Sequence, residues 1–542
     1  MKVLVIGGVA AGTKAAAKLK REDPSAEVLL LNKGANISYA GCGLPYYVGG
    51  VIHDKAELIV NTPEKFAKLT GVTVQCGVEA ISLDRAAKTV TARSLQDGTE
   101  TVHSYDKLVV AVGASPVVPP IEGVGLKNVF FLRTPEDAIA LRETLESGEI
   151  RRAVVVGGGY IGLETAENLA ARGIRTTVLE MLPQILPGFD PELAEYAENR
   201  LADKDIMVFT GEKVNALVGE ERVERVQCEN RKMKTDLVIL STGIRPNTAW
   251  LQDSGLEMFK GTLLTDLHGR TNDPSVWALG DCAMVHNLIT GESAWSPMGS
   301  TANIAARSAA KNMAGAECDY LGVLGTAVCH LPELNVGRTG LTEAQAAAAG
   351  FDAVSATCVV GDKAHYYPGS GEFIIKVIAD RSTTRLLGVQ VLGAGAVDKV
   401  VDVAVAAIAM KAALSDLANL DFAYAPPFST AIHPFAAAVQ ILQNKLSGAL
   451  VSVTPAEYKA GKAEGYRVVD VGMQPSIPGA DWLDLTAIGG VVPGYAVDEK
   501  LLLVCAKGKR AYLTQNRLRH YGYTDTLVLE GGVTVNGSEL VK

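Results

Sequence analysis

One local pattern occurs twice in this chain: a short apolar strand, a glycine-rich turn, a helix, and a second strand about twenty residues later. The first copy covers residues 3–31 and the second covers residues 153–179. Backbone N–H groups in such a turn, together with the positive end of the following helix, suit a bound diphosphate. Two copies predict an α/β fold with two Rossmann-like dinucleotide-binding domains.

The second glycine turn has the more regular sequence. Glu180 ends the strand that follows its helix, where a carboxylate can accept hydrogen bonds from ribose hydroxyls. The same charge repels a 2′-phosphate, and no Lys or Arg follows at once, so the sequence favours NADH over NADPH. The other candidate cofactor contacts in this turn are Gly157, Gly159, Tyr160, Ile161 and Gly162.

The first glycine turn departs from the usual pattern at two positions. Val9 stands where the middle glycine is expected, and Asn32 ends the second strand in place of an acidic residue, although an amide can still bond a ribose. Two turns of this kind suggest one dinucleotide that stays bound and one that exchanges. The candidate contacts here are Gly7, Gly8, Ala11, Gly12, Asn32 and Lys33.

The charge and hydropathy patterns limit the partners. The 542 residues have a net charge of −9, and the basic residues are scattered among acidic ones, which argues against nucleic-acid binding. The N-terminus enters a strand without signal-peptide features, and the most apolar helical stretch is too short to span a bilayer. We therefore expect a cytoplasmic protein without membrane association.

The cysteines are spread thinly along the chain. None of the eight forms a CxxC pair or shows zinc-ligand spacing. This usage is typical of a reducing compartment. The sequence therefore predicts neither a disulfide framework nor a metal site.

Several short segments, in their order along the chain, point to a known family. Cys42 follows the first glycine turn, and the second turn is preceded by 111–116 and followed by 242–247 and 279–281. This order resembles the pyridine nucleotide-disulfide oxidoreductases over residues 1–447. The resemblance implies that FAD is held by the first turn and the last of these segments, and NADH or NADPH by the second turn. It adds these cofactor contacts: Ala111, Gly113, Gly243, Gly280 and Asp281.

The resemblance and the changes in sequence texture together predict four domains. An FAD-binding domain is expected over residues 1–113 and 245–323, and an NAD(P)-binding domain over 114–244. Longer strands and Ala-rich helices over 324–447 predict an α+β dimerisation domain, and 452–542 predict a small α/β domain. The expected assembly is a homodimer.

Cys42 is the candidate redox residue. It lies between two glycines, and Pro45 suits an early helical position, so we expect the thiol near a helix N-terminus, where its pKa is lowered. The nearest other cysteine is Cys76, so the family's CxxxxC dithiol is absent. A single thiol can carry a mixed disulfide or an oxidised sulfur.

The run 42–47 resembles the coenzyme A disulfide reductases in particular. That branch uses two tyrosines of the partner subunit; here Tyr424 and Tyr366 are the candidates, Tyr367 is less favoured, and plain packing is the alternative. His433 stands where an acidic residue is expected. The resemblance also implies contacts to coenzyme A, for which the candidates are Lys20, Arg21, Ser38 and Tyr39.

The sibling branches support a different function. They are peroxidases and oxidases that cycle a cysteine sulfenic acid, and they place a histidine in the first glycine turn. This chain has Ala10 there. An NADH peroxidase or oxidase is therefore the alternative to a disulfide reductase.

Cys505 begins a second candidate site. The run 505–510 follows a strand and enters a helix, so its N–H groups can converge on the sulfur. Its pattern C-x-x-G-x-R resembles the rhodanese sulfurtransferases, and Lys507, Lys509 and Arg510 would stabilise a thiolate or persulfide. Gly472 replaces a basic residue usual in that family. A binding or redox-sensing module remains the alternative for this domain.

These features together predict an FAD-dependent, NAD(P)H-driven reductase. Its expected substrates are small thiol derivatives: coenzyme A disulfide, coenzyme A persulfide or polysulfide. Cys42 would carry a mixed disulfide or persulfide, and Cys505 would handle sulfane sulfur. Tyr366, Tyr424 and Arg510 complete the candidate catalytic residues.

Overall fold

The computed structural model describes residues 1–541, which divide into two compact units. Unit 1 contains residues 1–183 and 205–323. Unit 2 contains residues 184–204 and the chain from Leu324 onward.

The first sheet of unit 1 contains the first glycine turn. Lys2–Ile6 lies at its centre, and all of its strand pairs are parallel. The strands Lys2–Ile6 and Lys107–Val110 are apolar and buried on both faces, as expected for a parallel sheet covered by helices. The helices Ala11–Glu22 and Gly299–Met313 pack in the same core. In spatial order the strands are Val276–Ala278, Lys107–Val110, Lys2–Ile6, Glu27–Asn32 and Thr73–Cys76.

The second sheet of unit 1 repeats this plan around the second glycine turn. Arg152–Val156 is central and parallel to both neighbours. The helix Tyr160–Ala171 connects it to Arg175–Leu179. The strands in spatial order are Ile206–Phe209, Arg175–Leu179, Arg152–Val156, Leu237–Leu240 and Val129–Phe130.

Smaller elements complete unit 1. A two-stranded ribbon pairs Ala114–Pro116 with Ile244–Pro246. Two antiparallel three-stranded sheets are Val78–Asp84, Thr89–Ser94, Glu100–Ser104 and Val214–Val218, Arg225–Cys228, Lys232–Lys234. Two short hairpins are Met258–Phe259 with Thr262–Leu263 and Val285–His286 with Ser293–Ala294. The remaining α-helices are Leu44–Gly49, Pro63–Thr70 and Pro135–Glu146.

Unit 2 contains an antiparallel sheet whose long strands bury almost every side chain. Its spatial order is Ala327–Leu331, Leu334–Gly340, Leu386–Gly393, Glu372–Asp380 and Ala353–Gly361. The helices of this part are Pro191–Ala202, Glu343–Ala348, Val397–Ala409, Leu414–Leu417 and Pro434–Leu446.

The helix Pro191–Ala202 belongs to unit 2, although the sequence prediction places it within the NAD(P)-binding domain 114–244. The reason is a buried charge cluster. The ammonium of Lys376, which is 0% exposed, lies 3.1 Å from Asp190, 2.5 Å from Glu192 and 2.6 Å from Glu343. These carboxylates hold the pKa of Lys376 above its ordinary value although burial alone lowers it. The domain boundaries themselves stay predictions.

The C-terminal part of unit 2 is a parallel α/β layer. Its strands in spatial order are Ser452–Val453, Thr526–Leu529, Leu501–Val504, Arg467–Asp470 and Asp481–Trp482. Its helices are Pro455–Lys459, Lys509–His520 and Gly532–Asn536. This layer is the predicted fourth domain in outline, and its assignment to the rhodanese family stays a prediction.

A buried carboxylate fastens this layer to the antiparallel sheet. Glu530 is 3% exposed and accepts hydrogen bonds from Lys445 Nζ at 2.7 Å, Ser452 Oγ at 2.6 Å and the Thr357 N–H at 2.7 Å. Lys445 also donates to the Ser355 carbonyl at 2.9 Å. The carboxylate is therefore fully engaged by both parts of unit 2, as a buried charge requires.

The predicted fold class is confirmed: two Rossmann-like sheets and an α+β domain. Among residues 1–541, the helices are all too short or too polar to cross a bilayer. The same residues contain no cluster of His, Cys, Asp and Glu side chains suited to a metal ion.

Candidate active site

The second glycine turn has the geometry that a diphosphate requires. Gly157 has φ +117°, and a Cβ there would overlap the Ser241 carbonyl, while a Cβ on Gly162 would overlap the Gly157 carbonyl. Nothing lies within 4 Å of the corresponding position at Gly159, which leaves that side of the turn open. The helix begins directly after, at Tyr160, so its N–H groups face this opening. The turn fits a pyridine dinucleotide.

Glu180 is placed where the sequence analysis expects it, and it has an additional role. It is 7% exposed, and its two oxygens accept hydrogen bonds from the Gly158 N–H at 2.7 Å and the Leu182 N–H at 2.8 Å. A carboxylate has about four lone-pair positions, so two remain for ribose hydroxyls. Glu180 therefore both shapes the turn and can bind a ribose.

The first glycine turn shows the same close packing. Gly7 has φ +103°, and a Cβ there would overlap the Ala111 carbonyl; a Cβ on Gly12 would overlap the Gly7 carbonyl. Val9, the irregular residue, is outside this packing, and its carbonyl accepts from the Thr13 hydroxyl. The turn thus retains the cradle that a second dinucleotide needs, and it fits FAD.

Asn32 and Lys33 have less freedom than their predicted roles assume. Asn32 Oδ1 accepts from the Gly8 N–H at 3.0 Å, and its Nδ2 donates to the carbonyls of Gly34 at 2.8 Å and Asn36 at 3.0 Å. Only an acceptor position on Oδ1 remains for a ribose. Lys33 forms an exposed ion pair with Glu79 at 2.8 Å.

The remaining predicted cofactor contacts include one ion pair. Asp281 accepts from Arg133 at 2.7 Å, and its carbonyl accepts from Trp295 Nε1 at 2.9 Å. Gly280, at φ +76°, lies against Ala11 of the first turn. Gly113 and Gly243 also have positive φ, at the ends of their strands. Arg133 is a residue that sequence reasoning missed, because nothing in its local sequence links it to Asp281.

Cys42 lies in a 3-10 turn, Gly41–Gly43, that leads into the short helix Leu44–Gly49 with Pro45 in its first turn. The predicted local structure is therefore confirmed, and the side chain is exposed. The predicted lowering of its pKa is wrong for the polypeptide. Partial burial and the carboxylate of Glu164 raise the pKa of the thiol, Arg133 lowers it, and Asp281 raises it. A helix of six residues supplies too weak a dipole to reverse this.

Glu164 is the second residue that sequence reasoning missed. It lies in the helix Tyr160–Ala171, so the second glycine unit contributes it to the surroundings of Cys42. Tyr46, four residues after Cys42, donates its hydroxyl to Glu164 at 3.2 Å. The available signal was weak: an acidic residue two positions after the third glycine.

We predict that Glu164→Gln lowers the pKa of Cys42, because it removes a negative charge that disfavours the thiolate. The expected result is an alkylation rate at neutral pH raised about threefold to tenfold. The measurement is iodoacetamide labelling of the holoenzyme across pH, with Cys42 identified by peptide mapping. Glu167→Gln, one turn away on the same helix, is the matched control, and an unchanged Cys42 profile in Glu164→Gln contradicts the prediction.

The four candidate coenzyme A contacts of unit 1 differ in what they can do. Ser38 has φ +49°, and its N–H donates to the Gly8 carbonyl at 2.9 Å, so it joins the Cys42 loop to the glycine turn. Burial raises the pKa of Tyr39. Lys20 donates to the carbonyls of Pro24 at 2.7 Å and Ala26 at 3.0 Å, which ties it to the loop beyond its helix. Arg21 is exposed in the last turn of that helix.

The structure brings the two predicted tyrosines together in unit 2. The hydroxyls of Tyr366 and Tyr424 are 3.5 Å apart, and both side chains are exposed. The hydrogen bond between the two hydroxyls raises the pKa of Tyr424, so this phenol keeps its proton at neutral pH. The geometry favours Tyr366 over Tyr367 as the partner.

His433, found where an acidic residue was expected, has a structural role. Its Nδ1 accepts from the Phe435 N–H at 3.2 Å at the start of the helix Pro434–Leu446, and its ring stacks on Phe422 at 4.5 Å. Burial and Lys399 lower its pKa to about 4. A neutral imidazole suits this capping role.

The Cys505 loop forms the predicted nest. Its sulfur accepts from the Gly508 N–H at 3.2 Å and the Ala511 N–H at 3.4 Å, and the residue is 4% exposed. Gly508 reaches φ +91° to turn its N–H inward. Such a nest stabilises negative charge on sulfur.

Two of the three predicted cations of this loop, Arg510 and Lys507, are engaged with other groups. Arg510 donates through Nε to the Val471 carbonyl at 2.7 Å and through a terminal nitrogen to Asp484 at 2.6 Å. Lys507 forms an ion pair with Glu372. Two of the Arg510 donors therefore fix the loop, and the action of this residue on the sulfur stays a prediction.

The comparison with family models identifies both parts of the chain before the C-terminal layer. Residues 1–311 match the model described as pyridine nucleotide-disulphide oxidoreductase. Residues 326–436 match the dimerisation domain of the same proteins.

Individual relatives agree on oxidoreductase chemistry but differ in the acceptor. An NAD(P)H coenzyme A polysulfide/persulfide reductase of Pyrococcus horikoshii is 37% identical over 82% of this chain and 98% of its own. An NADH oxidase of Methanocaldococcus jannaschii is 34% identical over 82% of this chain and 100% of its own. The solved structure of an NAD-dependent persulfide reductase from A. fulgidus is 33% identical, with a TM-score of 0.93 over 99% of this chain and 100% of that chain.

Proposed function

The chain belongs to the pyridine nucleotide-disulphide oxidoreductase family and is an FAD- and NAD(P)H-dependent enzyme, and from this premise we propose that it reduces sulfur–sulfur bonds in derivatives of coenzyme A. The observation that carries the proposal is that Cys42, in the unit that contains both glycine turns, is the one exposed cysteine among residues 1–541. The persulfide reductases among its relatives support this acceptor. NADH is the proposed donor because of Glu180.

Cys42 acts as the nucleophile in this proposal. Its thiolate attacks coenzyme A persulfide, forms a Cys42–S–S–coenzyme A mixed disulfide, and releases hydrosulfide. With coenzyme A disulfide the same attack releases one coenzyme A thiolate. Cleavage of this mixed disulfide needs two electrons, which FAD held at the first glycine turn and NADH held at the second would supply, and it returns Cys42 and coenzyme A as thiolates.

The chain's own groups manage the charge that this attack creates. Tyr424, which holds its proton at neutral pH, can donate that proton or a hydrogen bond to the leaving sulfur, with Tyr366 as its neighbour. We place these phenols at the site of the partner subunit in a homodimer. Arg133 is the cation that favours the Cys42 thiolate.

Cys505 is proposed to hold sulfane sulfur for the same reaction. Its two N–H donors stabilise a thiolate or persulfide, and its low exposure protects that species from solvent. The C-terminal layer is then a sulfurtransferase module of the rhodanese type.

We predict that Cys505→Ser lowers turnover with polysulfide at least about tenfold and leaves turnover with coenzyme A disulfide unchanged. The reason is that only the first substrate needs a sulfur-accepting thiolate in the nest. The measurement is anaerobic NADH oxidation with sulfide determined in parallel. If Cys505→Ser retains the parental turnover with both polysulfide and coenzyme A disulfide, the result would favour a binding or sensing module.

An NADH oxidase or peroxidase is the second candidate, because three relatives are named NADH oxidase. The discriminating experiment compares dioxygen, hydrogen peroxide, coenzyme A disulfide and coenzyme A persulfide as acceptors for the same preparation. The proposal expects the two coenzyme A derivatives to be preferred. A higher kcat/KM with either oxygen species overturns it.

A further inference from the structure

A cavity of about 670 Å³ opens in unit 1 at the edge of the second Rossmann-like sheet. It lies where the parallel strands Arg152–Val156 and Leu237–Leu240 begin. The glycine turn Gly157–Gly162 follows the other end of the first of these strands. The cavity is therefore separate from the dinucleotide site.

The lining of this cavity has a net positive charge. It includes five cationic and three acidic side chains, in a protein whose net charge is −9. Two of the acids are already engaged: Asp236 with Arg152 at 3.0 Å and Glu149 with Arg222 at 3.1 Å. The cationic residues are Arg151, Arg152, Arg222, Arg225 and Lys234.

Three of these cations have no carboxylate partner among residues 1–541: Arg151, Arg225 and Lys234. Arg225 and Lys234 stand directly opposite each other in neighbouring antiparallel strands. Like charges in such a pair are destabilising. An anion bound between them removes this cost.

The frame of the cavity is held without help from a ligand. The Asp236 carboxylate accepts from the N–H groups of Arg151 at 3.0 Å and Arg152 at 2.9 Å. Asn128, at φ +64°, donates its side-chain amide to the Asp236 carbonyl at 3.1 Å. The backbone at Arg151 is thus fixed at the rim.

We propose that this cavity binds an anion carrying a diphosphate group. The guanidinium groups of Arg151 and Arg225 suit bidentate phosphate contacts, and Lys234 adds a third charge. The cavity volume falls within the range of small-molecule sites and exceeds what one phosphate needs. Inorganic diphosphate and a nucleoside diphosphate share this chemistry.

The test is calorimetric titration of the FAD-loaded enzyme, saturated with NAD⁺ so that the dinucleotide site is filled, at about 150 mM salt. The probes are inorganic diphosphate and ADP. Tighter binding of ADP identifies a nucleotide ligand, and equal binding identifies the diphosphate group alone. We expect Arg151→Gln/Arg225→Gln/Lys234→Gln to weaken binding at least about tenfold.

A charge-matched control removes three exposed lysines outside the cavity: Lys2, Lys88 and Lys260, each changed to Gln. It is expected to bind as the parent does. A second measurement uses Arg225→Gln alone, which relieves the repulsion with Lys234: its Tm without diphosphate should equal or exceed that of the parent, and diphosphate should raise it less. Absent binding by the parent, equal losses in the control, or full binding by the triple variant each overturn the proposal.

Discussion

Cys42→Ser is expected to lower NADH-driven reduction of coenzyme A disulfide or persulfide by at least about a thousandfold. The hydroxyl of serine is a far weaker nucleophile, and it cannot form the mixed disulfide on which the electrons are delivered. Cys282 of the same unit is no substitute, since it is 0% exposed and burial raises its pKa to about 11. The measurement is anaerobic NADH oxidation at saturating acceptor, together with the visible flavin spectrum.

Cys318→Ser is the matched control for this substitution. Cys318 is a half-buried thiol of unit 1 near Ser308, outside both glycine turns. It should retain parental turnover and flavin content. Rapid sulfide release by Cys42→Ser with its flavin still bound would refute the assignment, whereas loss of flavin from that variant would show a structural role instead.

Lys376→Ala is expected to destabilise unit 2 by about 3–5 kcal/mol, because it leaves a cluster of buried carboxylates without a cation. Two of them, Asp190 and Glu192, lie at the N-terminus of the helix Pro191–Ala202. Their contacts with Lys376 hold this helix against the antiparallel sheet. Amide hydrogen exchange in that helix should therefore accelerate strongly. Exchange mass spectrometry with peptide resolution measures it.

Lys459→Ala is the control, because it removes an ion pair to Glu195 on the same helix. Both partners of that pair are 51% exposed, so the expected change is within about 1 kcal/mol. Equal exchange rates in the two variants would show that the buried Lys376 cluster does not contribute to the stability of unit 2.

The same cluster makes the stability of unit 2 decrease at acidic pH. Burial opposes ionisation of Glu343, but Lys376 outweighs it and holds the pKa of this carboxyl below its ordinary value. A lowered pKa stabilises the fold above the ordinary carboxyl pKa of about 4.3, and this contribution is lost as pH falls through the lower folded value. Chemical denaturation should show that the free energy of unfolding falls between pH 6 and about pH 3, and this pH dependence should be smaller in Glu343→Gln.

Local sequence was sufficient to predict the architecture. Residues 3–31 and 153–179 each specify a strand, a tight turn and a helix through neighbours in sequence, and the structure has these elements at those places. The placement of 184–204 was not predictable in this way. It depends on Lys376, which lies far along the chain from Asp190 and Glu192.

The same distinction explains the candidate site. The Cys505 nest and the position of Cys42 before a short helix follow from adjacent residues. The electrostatic surroundings of Cys42 do not, because Glu164 and Arg133 come from distant segments. The expected low pKa was wrong because partial burial and the Glu164 carboxylate raise it. A sequence shows which residue begins a helix, but not how far the fold buries a thiol or which charges it brings beside that thiol.

The carboxylate of Glu530 has a consequence for how the last ninety or so residues should be studied. Truncation of the chain before Ser452 would remove Glu530, and the Lys445 ammonium and the Thr357 N–H would lose the carboxylate to which they donate. A shortened enzyme would then lack Cys505 and would also leave these two buried donors of the antiparallel-sheet part without their acceptor. Loss of activity in the truncated enzyme would not distinguish the absence of Cys505 from damage to the remaining fold. A single substitution such as Cys505→Ser separates the two effects.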